Sequence, residues 1–168
     1  PAWRGRITRS DVTIEGERGT LAGTPSLAVN PDAIRLGAHC WVWDQVRACA
    51  EPLMASPESA EWRVSLSSVP LALLEPRLPA GFRLPGSVTG TATLNWQPDS
   101  GPAARLTLVS ANSAIEVPQP EAEEALMLRY DRIVVDADLQ PEKARVRLGV
   151  ASPDIGQGGF ALETDPRA

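Results

Sequence analysis

Sixteen prolines and thirteen glycines are spread along the 168 residues, so few windows stay free of both long enough for a long helix. The intervals are filled by apolar residues at every second position, in short runs about ten to fifteen residues apart, the pattern of an all-β chain. Residues 3–14 open the series with Val12 and Ile14 in phase, and Gly16 and Gly19 are expected to turn the chain. Residues 21–29 follow, ended by the turn sequence Asn30-Pro31-Asp32. After a turn at Ser56-Pro57-Glu58, Trp62, Val64 and Leu66 share one face. The clearest half-buried strand starts at Gly86, with Val88, Gly90, Ala92, Leu94 and Trp96 facing one way and Ser87, Thr89, Thr91, Thr93 and Asn95 the other. Shorter runs follow at Leu106 and Leu108, at Ile115 and Val117, and at Leu126, Leu128 and Tyr130. Ile133, Val135, Ala137 and Leu139 then alternate with Val134, Asp136 and Asp138, ahead of Val146, Leu148 and Val150 and a last run over 156–162. Residues 118–124 read as an acidic, proline-containing loop carrying Glu121, Glu123 and Glu124. The total is roughly eleven to thirteen strands. One short helix is expected over 68–75, capped by Ser68, with Pro70 in its first turn, Pro76 as its stop, and Leu71, Leu74 and Leu78 on one face.

The segment 33–50 holds both cysteines, the only histidine and two of the five tryptophans. Ile34, Leu36, Ala38, Cys40 and Val42 alternate with Arg35, Gly37, His39, Trp41 and Trp43. A two-residue turn at Asp44-Gln45, though a poor turn dipeptide, sets Trp43 opposite Val46 and Cys40 opposite Cys49. That is a non-hydrogen-bonded pair, with Cα atoms roughly 4.5 Å apart, at the short end of disulfide range. A disulfide implies an oxidising compartment; the alternative is two buried free thiols in a reducing one.

A net charge of −5, with fifteen of the sixteen basic residues arginine and scattered, argues against nucleic acid as a partner. Nothing resembles a membrane span or a signal peptide, and the chain starts at Pro1. These features suggest a segment of a longer protein whose membrane anchor lies outside it. No catalytic constellation emerges, so the chain is expected not to be an enzyme. His39 lacks the partners of a zinc site and is expected on the wetter face of its strand. Asp136 and Asp138 lie two apart, a spacing a glycosidase or a calcium site can use, but more often simply the solvent face of a half-buried strand. Gly156-Gln157-Gly158-Gly159 has no P-loop lysine. Trp41 and Trp43 suit a carbohydrate or partner platform, or simply packing at a sheet surface. No metal and no cofactor are expected.

Several features occur together in order over about the first hundred residues: Trp3-Arg4-Gly5, the strand-turn-strand leading to Cys40, the second cysteine Cys49, Trp62 followed by Val69-Pro70-Leu71, Leu74 to Leu78-Pro79, and Gly86-x-x-x-Gly90. In these the chain resembles the TamB family, within the AsmA-like inter-membrane bridge proteins. Leu21 departs from it, standing where relatives are expected to carry tryptophan. The resemblance implies an elongated sheet curled like a taco, with an apolar concave face. It also implies a periplasmic location between an inner-membrane anchor and an outer-membrane barrel partner (TamA-like). The role implied is in the translocation and assembly module, for outer-membrane biogenesis and phospholipid transport.

One single segment over 1–168 is therefore expected, with Cys40 and Cys49 bonded. The apolar lining is expected to comprise Ile34, Leu36, Val42, Trp62, Val64, Leu66, Val88, Ala92, Leu94, Trp96, Leu106, Leu108, Ile133, Val135, Leu139, Val146, Leu148 and Val150, with Cys40 on the same side. The cargo would be phospholipid acyl chains or nascent outer-membrane protein strands. The competing reading is a secreted β-sandwich or jelly roll whose apolar face is closed by a second sheet.

Overall fold

A computed structural model describes residues 2–14, 17–119 and 124–164. Fourteen strands and one short helix fall among them. β1 (Trp3–Arg6) and β2 (Asp11–Ile14) are two halves of one crossing of the sheet. The next three crossings are likewise halved: β3 (Glu17–Ala22) with β4 (Ser26–Val29), β5 (Ile34–Leu36) with β6 (His39–Trp43), and β7 (Val46–Ala50) with β8 (Leu53–Ala55). β9 (Ala60–Pro70) crosses unbroken and leads through a 3-10 helix (Leu71–Arg77) to β10 (Ser87–Gln97). β11 (Gly101–Val117), β12 (Leu126–Gln140), β13 (Lys143–Ser152) and β14 (Gly156–Thr164) complete the meander. All pairings between named strands are antiparallel, and all strands belong to one curled sheet that does not close into a barrel.

The first four crossings are broken along a common crease. On one side of it the order is β1-β4-β5-β8, and on the other β2-β3-β6-β7. Both branches end on the same edge of β9, β8 against Ala60 and Glu61 and β7 against residues 64–67. The sequence supplies the breaks. Pro25 and Pro52 have no amide to give the ladder, and Gly23 takes a φ of +89°. Backbone bonds bridge the gap, from Ile7 N to Pro25 O (3.0 Å), Leu21 N to Ser10 O (2.9 Å), Gly37 N to Ser26 O (2.8 Å) and Glu51 N to Arg63 O (2.9 Å).

The turns follow their residues. Asn30 Oδ1 accepts from the Asp32 and Ala33 amides, and Ser56 Oγ from those of Glu58 and Ser59. Asp44 takes the positive φ, 46°, that a tight hairpin demands of its first turn residue. The hairpin register is Trp43 to Val46 and Cys40 to Cys49, and the two cysteines are joined, with Cα atoms 4.0 Å apart.

Several expectations need correction. Residues 3–14, 21–29 and 34–43 are interrupted crossings rather than single strands. Gly19 lies within β3, and Gly16 is outside the described residues, as are 120–123 of the acidic loop. The paired runs at 106–117 and 126–139 are each one long strand, which accounts for 17 and 15 residues in β11 and β12. The helix is 3-10, begins after Pro70 and contains Pro76. Ser68 is in β9 at φ 57° and caps nothing, and Leu74 is exposed, Glu75 taking its place beside Leu71 and Leu78 as a half-buried residue. The short 3-10 repeat explains Pro76: near the end of so short a helix, few backbone bonds depend on its missing amide.

The solvent-accessible surface is 11,486 Å². A globular monomer of 17.9 kDa would expose roughly 8,000 Å². The excess excludes the closed-sandwich reading. Among the described residues the buried apolar side chains are only Pro25, Ala50, Ala114 and Tyr130, and no large side chain is fully buried.

Candidate functional site: an open apolar face

Residues opposite one another on antiparallel strands project to the same face, so the register assigns the faces directly. Trp62 lies opposite Leu94, which lies opposite Ala104 and then Leu139. Val64, Ala92, Leu106, Ala137, Val146 and Leu162 form the next row, and Leu66, Gly90, Leu108, Val135, Leu148 and Phe160 the one after it. Val88, Ser110, Ile133 and Val150 continue the series. Leu94 and Val135 therefore share a face. Ile34 and Leu36 reach it through β8, being opposite Ala55 and Leu53.

Val42 does not. It pairs with Arg47, which pairs with Ser67, and Cys40 pairs through Cys49 with Ser65. Both lie on the opposite face. The cause is the two-residue break at Gly37-Ala38, which puts an odd step between Leu36 and His39 and reverses the phase. His39, Trp41 and Trp43 take the apolar side instead, opposite Ala50, Ala48 and Val46. His39 is thus not on the wet face: it is 5 % exposed, its Nδ1–H donates to Gly37 O at 2.8 Å, and its ring stands edge-on to Trp41 at 4.5 Å. The Trp43 ring lies over Gly19, where any Cβ would run into it. Sequence periodicity missed these three rings; the proline and glycine at the crease were the only available signal.

Among the described residues nothing forms a second layer over the apolar face. Leu94 is 44 % exposed, Leu139 45 %, Phe160 60 % and Leu162 58 %. A groove of about 620 Å³ runs along it, lined by Leu53, Trp62, Leu94, Trp96 and Leu139 among others. Isolated exposed apolar residues are ordinary, but contiguous rows of them mark an interaction surface.

The other face is polar. Arg105 and Asp138 are paired at 2.9 Å, Thr107 donates to Asp136 at 2.7 Å, and Glu163 receives Arg145 at 2.7 Å and Lys143. The Arg105 hydrogen bond holds the Asp138 carboxyl below its usual range. A carboxylate kept ionised this way is unsuited to act as the protonated acid of a glycosidase. Among the described residues no group of three or more His, Cys, Asp or Glu side chains could hold a metal ion, and no helix is long and apolar enough to cross a membrane.

A family model described as TamB, N-terminal domain, matches residues 1–165. No solved structure matches the chain.

Proposed function

Because the chain belongs to the TamB family, we propose that it is one periplasmic segment of a trough whose open apolar face shields cargo between the inner and outer membranes. The cargo is phospholipid acyl chains or nascent outer-membrane protein strands, and the process is outer-membrane biogenesis. An anchor elsewhere in the protein holds it to the inner membrane, and an outer-membrane barrel of the TamA type receives the cargo. The role is non-catalytic. The observation that carries this reading is the single-layer sheet with rows of large apolar residues left in contact with solvent. An acyl chain gains about 0.8 kcal/mol per methylene buried, so a dozen methylenes supply on the order of 10 kcal/mol gross without a polar recognition site.

The test is a charge at mid-groove. Leu94→Asp places a carboxylate on the apolar face where water reaches it in the empty state. The fold should survive, melting within a few degrees of wild type, while outer-membrane integrity fails in cells, because cargo crossing position 94 must desolvate the charge. Thr93→Asp, on the polar face opposite Arg63 and Arg105, should harm neither. Normal function with Leu94→Asp would count against a continuous apolar path.

A further inference from the structure

The chain has one histidine, and its two cysteines are joined to each other. His39 is therefore the one side chain here of the kind that ordinarily changes charge between about pH 5 and 8. It is buried at the crease, as the first residue of β6. Its Nδ1–H donates to Gly37 O, and its Nε2 is buried without a hydrogen-bond partner among the described residues. Gly37 lies in the break between β5 and β6, and its own N–H donates to Ser26 O on β4 at 2.8 Å. The approach is close: a Cβ added to Gly37 would stand 3.0 Å from Ser26 Oγ. One residue of the crease is thus held from both branches, by β4 through its N–H and by the first side chain of β6 through its carbonyl.

The surroundings suit the neutral ring. Opposite His39 is Ala50 on β7, and beyond it Val64 on β9. On β3, Leu21 pairs with Trp41, whose ring stands edge-on to the imidazole. The charged residues of the neighbouring strands do not face it. Arg35 and Arg47 project from the polar face, as does Arg63, which pairs there with Glu51 and Glu61. Arg18 is bound to Asp11, and Glu17 is six residues along β3 from the level of His39, about 20 Å. Asp44 is in the turn at the far end of β6. No carboxylate stands ready to receive a second ring N–H. Protonation makes Nε2 a donor and the ring a cation, and burying either without an acceptor is costly. Rotation about the side-chain bonds brings Nε2–H out to water on the open face, and the same rotation draws Nδ1 away from Gly37 O.

We propose that His39 is a proton-operated latch at the crease. Neutral, it fastens Gly37 and holds the two branches of the split crossings in their relative position. Protonated, it leaves the wall and frees the break between β5 and β6, so that the branches flex where they join β9 while β10 to β14 stay as they are. The sign follows from linkage: the latched form holds the neutral ring, so its share falls as pH falls. The device does not depend on what the groove carries.

The test is amide hydrogen exchange followed by NMR between about pH 8 and pH 5, each rate taken relative to that of an unstructured chain at the same pH. The imidazole nitrogen shifts record protonation of His39 in the same samples. Protection of the Gly37 amide should fall about tenfold in step with protonation of the ring, while that of Val135 in β12 holds. His39→Asn, whose side-chain N–H takes the place of Nδ1–H without titrating, should keep Gly37 protected across the range. A ring that protonates with Gly37 unchanged overturns the latch, as does a ring still neutral at about pH 5. Parallel loss of protection at Val135 also overturns it, because the acid response would then belong to the whole sheet. The wild-type comparison of the two amides decides the matter even if the variant fails to fold.

Discussion

Glu75 shows how a side chain can be placed without any periodic signal. It sits in the 3-10 helix, accepts the Leu84 amide at 2.8 Å and the Arg83 guanidinium at 3.0 Å, and so fastens the loop between β9 and β10 to the helix that precedes it. The Leu84 amide first, and Arg83 second, hold its carboxyl below the usual glutamate value. A depressed folded value means the contribution is present above the ordinary value of about 4.3 and is lost as pH falls through the lower one. Glu75→Gln keeps an acceptor for Leu84 but not the charge. Its melting temperature should lie below wild type at pH 7, and the gap should narrow as pH drops below about 4. A gap that stays constant down to pH 3 would show that the charge does not matter. Nothing in the sequence revealed this contact, because it joins residues nine apart across an irregular loop. The bonds of Asn30 to its own turn were legible, because the acceptor and both amides lie within three residues.

At the scale of elements, alternation and turn chemistry located most strands but not their phase across a break. The β6–β7 hairpin came out in the expected register despite its weak turn dipeptide. The face it presents did not, because the break at Gly37-Ala38 reverses the alternation, and only the glycine and proline along the crease signal a break at all. The same limit divided β11, where Asn112 takes a positive φ of 52° inside a continuous strand and interrupts the apolar pattern. The disulfide consequently lies on the polar face, behind Trp41 and Trp43, and clamps the two strands that carry them. Closing a loop of about ten residues contributes roughly 2–3 kcal/mol in the chain-entropy model. Cys40→Ser/Cys49→Ser should therefore melt about 5–10 °C lower. An unchanged melting temperature would mean that hairpin pairing alone fixes β6 against β7. Thiol titration of the denatured, unreduced wild-type protein should find no free thiol.

At the scale of the whole molecule, the described residues form one sheet without the layer that ordinarily covers its apolar side, and this has a thermodynamic signature of its own. The heat capacity of unfolding scales with apolar surface newly exposed, at ordinary values of about 12–15 cal/mol/K per residue. Here much of that surface is already wet in the folded state, as the 11,486 Å² of accessible area requires. Calorimetry over a range of pH should give a heat capacity change clearly below the roughly 2.0–2.5 kcal/mol/K expected for a closed domain of 168 residues. A short-chain lipid that occupies the groove should raise the melting temperature in proportion to the logarithm of its concentration, since it binds only the folded sheet. It should also raise the heat capacity change, because unfolding then re-exposes the surface it covered. A full-sized heat capacity change in the lipid-free protein would require a second apolar layer and would remove the open face on which the cargo reading stands.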